Sequence, residues 1–385
     1  MKEAAAQPLA MLGGGPVGLA LALLLARRRV PSVVFDARSV EQASTDRRLL
    51  ALSAGSLQTL AALAELRSEL IAPIRTVIVS SVGQFGRAVI GESDVAAEPL
   101  GATIRYGDLI EALSAAAAQN EMIDVRRPAK VVEVRQAPAH VEVVLEHGTS
   151  ITSPVALSAE GINRETNASA RYSALVGDLE VTGFKPGSAC ERFTREGPLA
   201  LLPLPARSTT GALKMALVWC MTHDQADRRS ALPDTEFIAE LQAQLGERRS
   251  RVSTVQARRR YPLNEQAREK LVEHRTVYLG NAAQTLHPVA GQGLNLGLRD
   301  SVVLADHIGA AYAAHADLPQ ALQSYAQSRS ADRAAIVALT RTAPDFFSTR
   351  FAPIALARSI GLTALAVVPN LRREFARLLM FGVRF

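Results

Sequence analysis

The apolar run Pro8–Leu12, the Leu- and Ala-rich block Val17–Arg28 and the second apolar run Ser32–Phe35, which stops at Asp36, set the pattern of the first forty residues. Short apolar runs bounded by glycine predict buried strands, and the longer block between them predicts a helix. Together they predict a β-turn-α-β unit. Further on, helical stretches are predicted around Leu49–Leu70 and through Asp108–Ala118, with strands at Arg75–Val82 and Ala88–Ile90. Val131–Arg135 and His140–Leu145 predict a hairpin, because Val141, Val143 and Leu145 alternate with polar neighbours. Ser153–Ala159 reads as one strand ending at Glu160-Gly161, and Thr276–Leu279 as another.

From about Arg171 to Arg260 the texture changes to polar alternation, with prolines at 198, 203 and 205, and Met215–Met221 predicts a strand of a separate sheet. The expected division is a discontinuous nucleotide domain over 1–170 and 261–345, with a substrate-facing part near 72–100. A sheet domain over 171–260 is inserted into it, and a helical segment occupies 346–385. In the last predicted helix, Leu371, Phe375, Leu378 and Leu379 share one face, with Arg372, Arg373 and Arg377 opposite. Such a basic amphipathic helix can lie in a membrane interface or pack on the core as a final helix. Pro353–Val368 is apolar but broken by Arg358, too short to span a bilayer.

Composition narrows the classes. The 385 residues are 48% hydrophobic and 21% charged, which describes a folded protein with a full core. Cys190 and Cys220 are the only cysteines, so neither a disulfide framework nor a zinc site is expected, and no metal. That usage fits a cytoplasmic location. The net charge is +6, yet no basic run is interleaved with aromatics, which argues against nucleic acid. Pro8–Ala26 is uncharged, but glycines interrupt it and its positive charge follows at Arg27–Arg29. A secretory signal carries that charge first. The stretch is therefore a buried strand and helix.

Two turns carry the chemistry. In Gly13-Gly14-Gly15-Pro16-Val17-Gly18, Gly13 allows a tight turn, Gly15 lets a pyrophosphate approach the backbone, and Gly18 allows close helix–strand packing. Asp36 follows about 20 residues later, where a carboxylate can accept from a ribose. The second turn runs Gly280-Asn281-Ala282-Ala283-Gln284-Thr285-Leu286-His287-Pro288, then Gly291-Gln292-Gly293-Leu294-Asn295-Leu296-Gly297. It lies between a strand and a helix predicted to begin near Leu294, where N–H groups can face an anionic ligand. Gly291 and Gly293 keep side chains out of the way. Two such turns far apart in sequence suit one long dinucleotide held at both ends.

These turns, with Asp46-Arg47-Arg48-Leu49-Leu50-Ala51-Leu52-Ser53 and Glu191-Arg192-Phe193-Thr194-Arg195-Glu196-Gly197-Pro198-Leu199-Ala200, resemble the FAD-dependent aromatic hydroxylases of the para-hydroxybenzoate hydroxylase type. The chain is most similar to their ubiquinone-biosynthesis branch, and the resemblance covers essentially its whole length. It implies an α/β fold: a Rossmann-like FAD-binding domain, an inserted β-sheet substrate domain and a C-terminal helical segment. It implies FAD as cofactor, NAD(P)H as reductant and O₂ as co-substrate. Hydroxylation would proceed through a flavin C4a-hydroperoxide onto a prenylated phenol of the 2-polyprenyl-6-methoxyphenol kind. Gly13, Gly15 and Gly18 would meet the pyrophosphate, Asp36 the adenosine ribose and Arg48 the FAD from its loop. Asn281 would meet the ribityl or pyrophosphate part. Gly291, Gln292, Gly293, Leu294 and Asn295 would lie along the isoalloxazine edge. A phenol has a pKa of about 10, so a proton acceptor is needed. His287, in the flavin-side loop, is the candidate, with a loop-holding role as its alternative.

Two departures stand out. Where the wider group has Asp-Gly with a serine and a distal arginine, this chain has Glu160-Gly161, Arg164 and Asn167. Asn281 replaces an aspartate, as that branch commonly shows. The first departure motivates a rival reading, an FAD-binding scaffold subunit of a ubiquinone-biosynthesis complex with little turnover. A flavin disulfide reductase would need paired cysteines, and a halogenase a second tryptophan beside Trp219. Peripheral contact with the inner face of the cytoplasmic membrane, and membership of such a complex or a homo-oligomer, complete the expectations.

Overall fold

The computed structural model describes residues 7–83, 87–95, 98–161, 172–207, 211–246, 250–264, 266–286, 291–348 and 352–382. Its first sheet has six strands in the order Val272–Glu273, Thr276–Tyr278, Ala156–Ser158, Leu9–Leu12, Ser32–Phe35, Ile123–Arg126. All neighbours pair in parallel except the Val272–Glu273 edge. Leu9–Leu12 and Ser32–Phe35 are buried throughout, as parallel strands covered on both faces must be. The helix Pro16–Ala26 is buried on every side, which explains why its Leu/Ala block shows no polar stripe. It lies against the helices Tyr106–Ala118 and Gln292–Ala313. The opposite face of the sheet is covered by the strands Val131–Gln136, Val141–Leu145 and Ser150–Ser153, with Val141 and Val143 packed on Leu12 and Phe35.

A second, seven-stranded sheet runs in the order Arg251–Leu263, Tyr172–Thr182, Leu213–Thr222, Pro198–Arg207, Ser188–Phe193, Thr76–Ser81, Arg87–Gly91. The segment near 72–100 thus supplies two of its strands, with Thr76–Ser81 pairing in parallel to Ser188–Phe193. The helices His223–Ala231 and Asp234–Leu245 cover one face, where Leu175, Cys190, Leu201, Leu217 and Trp219 cluster with Phe237 and Leu241. Between the two large sheets sits a small one, Gly101–Arg105 flanked by Leu49–Ser53 and Ile71–Ile74. It is tied to the second sheet where Thr103 Oγ1 donates to the Pro203 carbonyl (2.5 Å) and Arg105 pairs with Asp178 (2.6 Å). The helices Leu318–Ser348, Ala352–Val367 and Pro369–Phe381 complete the chain. Among the described residues no helix is long and apolar enough to cross a membrane, and no cluster of His, Cys, Asp or Glu could hold a metal ion.

Two local expectations are corrected, and the last helix shows which face it packs. The stretch Leu49–Leu70 is not continuously helical: Leu49–Ser53 is a strand, Ala54–Leu63 a helix and Ser68–Leu70 one tight turn. Ser53 begins the helix by accepting from the Ser56 N–H, and cross-strand pairing with Gly101–Arg105 overrides the helix propensity of leucine and alanine before it. Ser153–Ala159 is two strands, because Pro154 lacks an N–H and the chain changes sheets there. In Pro369–Phe381 the packed face holds Ala376 and Met380, with Phe375 and Phe381 beside them. Arg372 turns inward onto Asp94 (2.8 Å), while Leu371 stands 47% exposed. The packed face is therefore centred on Ala376 and Met380, with Leu371 outside it.

Candidate cofactor site

The first turn is built by steric necessity. A Cβ on Gly13, whose φ is +99°, would stand 2.8 Å from the Ala159 carbonyl group, and one on Gly18 would stand 1.9 Å from the Gly13 oxygen. Neither position admits a side chain while the helix stays on the strand. Gly15 differs: its Cβ would meet only the Tyr106 hydroxyl, at 3.5 Å. It is the open edge of the turn, where a ligand can approach the backbone. Pro16 follows at the first helical position, where its missing N–H costs nothing.

Asp36 closes the turn from the next strand. Its Oδ2 accepts from the Gly14 N–H (2.9 Å) and its Oδ1 from the Arg38 N–H (2.8 Å), while the Arg127 guanidinium lies 3.6 Å away. Arg127 is only 2% exposed and reaches the Arg38 carbonyl with Nε. Burial, with the Asp36 charge behind it, raises the Glu160 carboxyl above the usual carboxylate range. Arg38 donates to the Tyr106 hydroxyl (3.0 Å), and Arg48 lies over the Tyr106 ring at 4.8 Å. Arg48 spends Nε and Nη2 on Asp46 (2.6–3.0 Å), so any phosphate contact it makes is shared with that carboxylate. The lip above Gly15 is thus cationic and aromatic.

The second turn meets the first in space. Gly280, at φ +52°, and Gly297 both abut Val17: their Cβ atoms would fall 3.2 and 2.9 Å from its Cγ2. Val17 stands in the first turn of the opening helix, so Gly280 and Gly297 share a contact with a residue more than 260 positions before them. Gly291 (φ +60°) caps the helix Gln292–Ala313, which begins two residues before the expected Leu294. A Cβ on Gly291 would touch Ala51 at 3.0 Å, whereas one on Gly293 meets nothing within 4 Å. Asn295, 2% exposed, accepts from the Ser53 N–H (2.9 Å) and donates to the Ala51 (3.0 Å) and Gly291 (2.7 Å) carbonyls. It locks the strand Leu49–Ser53 to the helix start. Its side chain positions the turn, leaving ligand contact to the backbone there. Gln292 is buried beside it, Leu294 packs against the main core, and Asn281 is exposed on the Gly280–Ala282 turn.

The geometry therefore brings together Gly13, Gly15, Gly18, Asp36, Arg48, Gly291 and Asn295 around one cradle. His287, Arg164 and Asn167 lie outside the described residues. Sequence reasoning assigned no role to Tyr106, Arg38 or Arg127; a guanidinium two residues past Asp36 and an Arg-Pro step after Arg126 were the available signals. Glycine positions that a Cβ would fill, one open glycine in each turn, two helix starts and a cationic lip fit a long dinucleotide with a pyrophosphate in its middle.

Comparison with known proteins gives the same reading. Residues 7–340 match the FAD binding domain family. A ubiquinone hydroxylase, UbiL, of Rhodospirillum rubrum is 31% identical over 383 residues, covering 95% of this chain and 88% of that protein. The 3-demethoxyubiquinol 3-hydroxylase of Escherichia coli is 26% identical, covering 95% and 96%. Among solved structures, p-nitrophenol 4-monooxygenase PnpA from Pseudomonas putida superposes with a TM-score of 0.72 at 18% identity, over 99% of both chains.

Proposed function

Because the chain belongs to the FAD binding domain family and is an FAD-dependent NAD(P)H aromatic-ring monooxygenase, we propose that it hydroxylates a prenylated phenol of ubiquinone biosynthesis, of the 2-polyprenyl-6-methoxyphenol kind. The observation that carries the reading is the convergence of the two glycine turns on Val17, joined to relatives that act on ubiquinone precursors over nearly their whole length. Gly13, Gly15 and Gly18 would admit the pyrophosphate, Asp36 the ribose, Arg48 and Arg38 the phosphate charge, and Gly291 to Asn295 the ring edge. Bound FAD would accept a hydride from NAD(P)H and activate O₂. The chain's own residues hold the phenol beside the ring and keep water out.

The division into a nucleotide domain (1–170 and 261–345), an inserted substrate domain (171–260) and a C-terminal segment (346–385) belongs to the same proposal. So does contact with a membrane surface, from which such an apolar substrate is drawn. Ile360, Val367, Val368 and Leu371 stand 46–71% exposed at the end of the chain, close to Arg373 and Arg377. Val367→Glu together with Leu371→Glu should release the protein from anionic vesicles; unchanged sedimentation with them would remove this part.

The test of the reaction is direct. The FAD-loaded protein with NADPH and 2-geranyl-6-methoxyphenol should yield a product heavier by one oxygen atom. NADPH oxidation that ends only in peroxide would sink the substrate assignment. The cradle is tested separately by alanine at two glycines. Gly293→Ala should leave the fold intact and weaken FAD binding at least tenfold, about 1.4 kcal/mol. Gly18→Ala should abolish FAD retention and lower the melting temperature as well.

A further inference from the structure

We propose that Glu191 is the group that takes the phenolic proton of the substrate, an assignment that rests on the function proposed above. Its strand, Ser188–Phe193, is interior to the second sheet, so successive side chains leave on opposite faces. Cys190 packs with Leu201, Leu217 and Trp219 beneath the covering helices, and Arg192 Nε donates to the Gln244 carbonyl of one of them (2.5 Å). Glu191 therefore leaves on the other face, with Ala189 and Phe193. In register beside it stand Val79 on one side and Ala200 on the other, and Val218 lies one strand further. Glu191, Val79, Ala200 and Val218 are each only partly buried, so this patch is not sealed as the opposite face is.

A chain of contacts links this face to the cofactor cradle. On the same face, Val77 and Ile90 pack with Ala54, Leu100, Ala376 and Met380. Ala54 follows Ser53, whose N–H is held by Asn295 at the Gly291 turn. The face that carries Glu191 is thus joined, through Val77, Ala54 and Ser53, to the start of the Gln292–Ala313 helix.

Among the described residues, no hydrogen bond or ion pair reaches the Glu191 carboxyl. A part-buried acid that no described residue partners does little for the fold, since withdrawing a carboxylate from water without a partner is unfavourable. Burial alone pushes it up to about 8. An ordinary glutamate titrates near 4.3 and a phenol near 10, so burial narrows the gap between base and phenol from about six pKa units to about two. Efficient general bases sit close to the operating pH. In the step, the phenol O–H bond breaks and its proton goes to a Glu191 oxygen. The electron pair left on the phenolic oxygen delocalises into the ring, whose carbon bonds the electrophilic oxygen derived from O₂. That carbon then loses its hydrogen as a proton and the ring regains aromaticity. The second oxygen atom leaves as water, with both electrons drawn from NAD(P)H.

The experiment compares the FAD-loaded full chain with its Glu191→Gln and Glu191→Asp variants, using 2-geranyl-6-methoxyphenol and NADPH from pH 6 to 10. FAD content and melting temperature show that each variant folds. The wild type should gain hydroxylation rate through a midpoint near pH 8 and level off above it. Glu191→Gln should lose about a hundredfold at pH 7, and its rate should climb toward the phenol's own ionisation. Glu191→Asp should recover part of the rate and keep a limb below that of Glu191→Gln. An unchanged rate and profile in Glu191→Gln overturns the proposal. If the wild type makes no product, the substrate reading fails, and Glu191 is then judged with 4-nitrophenol, whose phenol and phenolate bands are distinct. Bound 4-nitrophenol should ionise in the wild type at a pH where it stays protonated in Glu191→Gln; identical spectra overturn the assignment.

Discussion

The two faces of the second sheet treat charge in opposite ways. On the helix-covered face, Arg229 is 4% exposed yet fully occupied: it pairs with Glu196 (2.6 Å) and Glu240 (2.8 Å) and stacks on Trp219 at 4.1 Å. Glu240 accepts also from both ends of the Arg228 fork, and these guanidinium hydrogen bonds, Arg228 first, hold its carboxyl down to about 2. On the open face Glu191 has no such company among the described residues, and burial pushes it up to about 8. The same residue type on two sides of one sheet is thus an anchor in one place and a proton acceptor in the other. Partners and burial decide which, a contrast often found between scaffold and active-site positions.

Removing the anchor should produce the largest effect on stability. Arg229→Ala leaves Glu196 and Glu240 without their shared cation and strips the Trp219 ring of its stacked partner, a loss of about 3 kcal/mol. Urea unfolding of the FAD-loaded protein measures it. A loss below about 1 kcal/mol would mean that Arg228 alone sustains the covered face, and the contrast between the faces would weaken.

The opposite result is expected from the open face. Glu191→Leu replaces a part-buried carboxyl that no described residue partners by an apolar side chain, and stability should rise by about 1–2 kcal/mol. Hydroxylation should fall by about a hundredfold in the same variant. A variant both less stable and less active would show that Glu191 serves the fold, and the comparison would break.

Acid and base should then separate the two glutamates by pH. Glu191 is raised in the folded state, so the native protein holds a proton that the unfolded chain releases above about 4.3. Its contribution is present below that pH and is lost as pH rises through about 8. Glu240 is depressed, so its contribution is present above about 4.3 and is lost as pH falls through about 2. Calorimetric melting should show the wild type declining more steeply than Glu191→Gln between pH 5 and 8. The advantage of wild type over Glu240→Gln should shrink below pH 4. Parallel curves in either window would remove the corresponding assignment.

How much of this the chain discloses depends on what each residue must avoid. Gly13 and Gly18 are readable because backbone lies where a Cβ would go, and that requirement is local to one turn. The strand Leu49–Ser53 is not readable, because its leucines and alanine suit a helix and only the distant Gly101–Arg105 draws them into a sheet. Asn295 is readable as a site position, but its task of clamping Ser53 and Ala51 depends on a strand more than two hundred residues away. Glu191 stands in a segment the sequence marks out, but its meaning depends on which face of the sheet it leaves from. Alternation alone cannot give that face, since Cys190 and Arg192 on either side face the covered one.

The smallest effect should come from the helix that bounds the open face from outside. Arg372 and Asp94, with side chains 19% and 10% exposed, tie Pro369–Phe381 to the turn after Arg87–Gly91. Burial works to raise the Asp94 carboxyl, but the Arg372 guanidinium and the Gly91 N–H outweigh it and hold it below the usual range. A depressed acid stabilises above its unfolded pKa of about 3.9 and loses that contribution as pH falls through its folded value. Arg372→Ala should therefore cost about 1 kcal/mol at pH 7 and almost nothing near pH 3. If the helix also keeps water from the Glu191 wall, the same variant should release more peroxide per NADPH oxidised. A change in stability with unchanged coupling would assign the helix to the scaffold alone. The open face would then end at Val77 and Ile90.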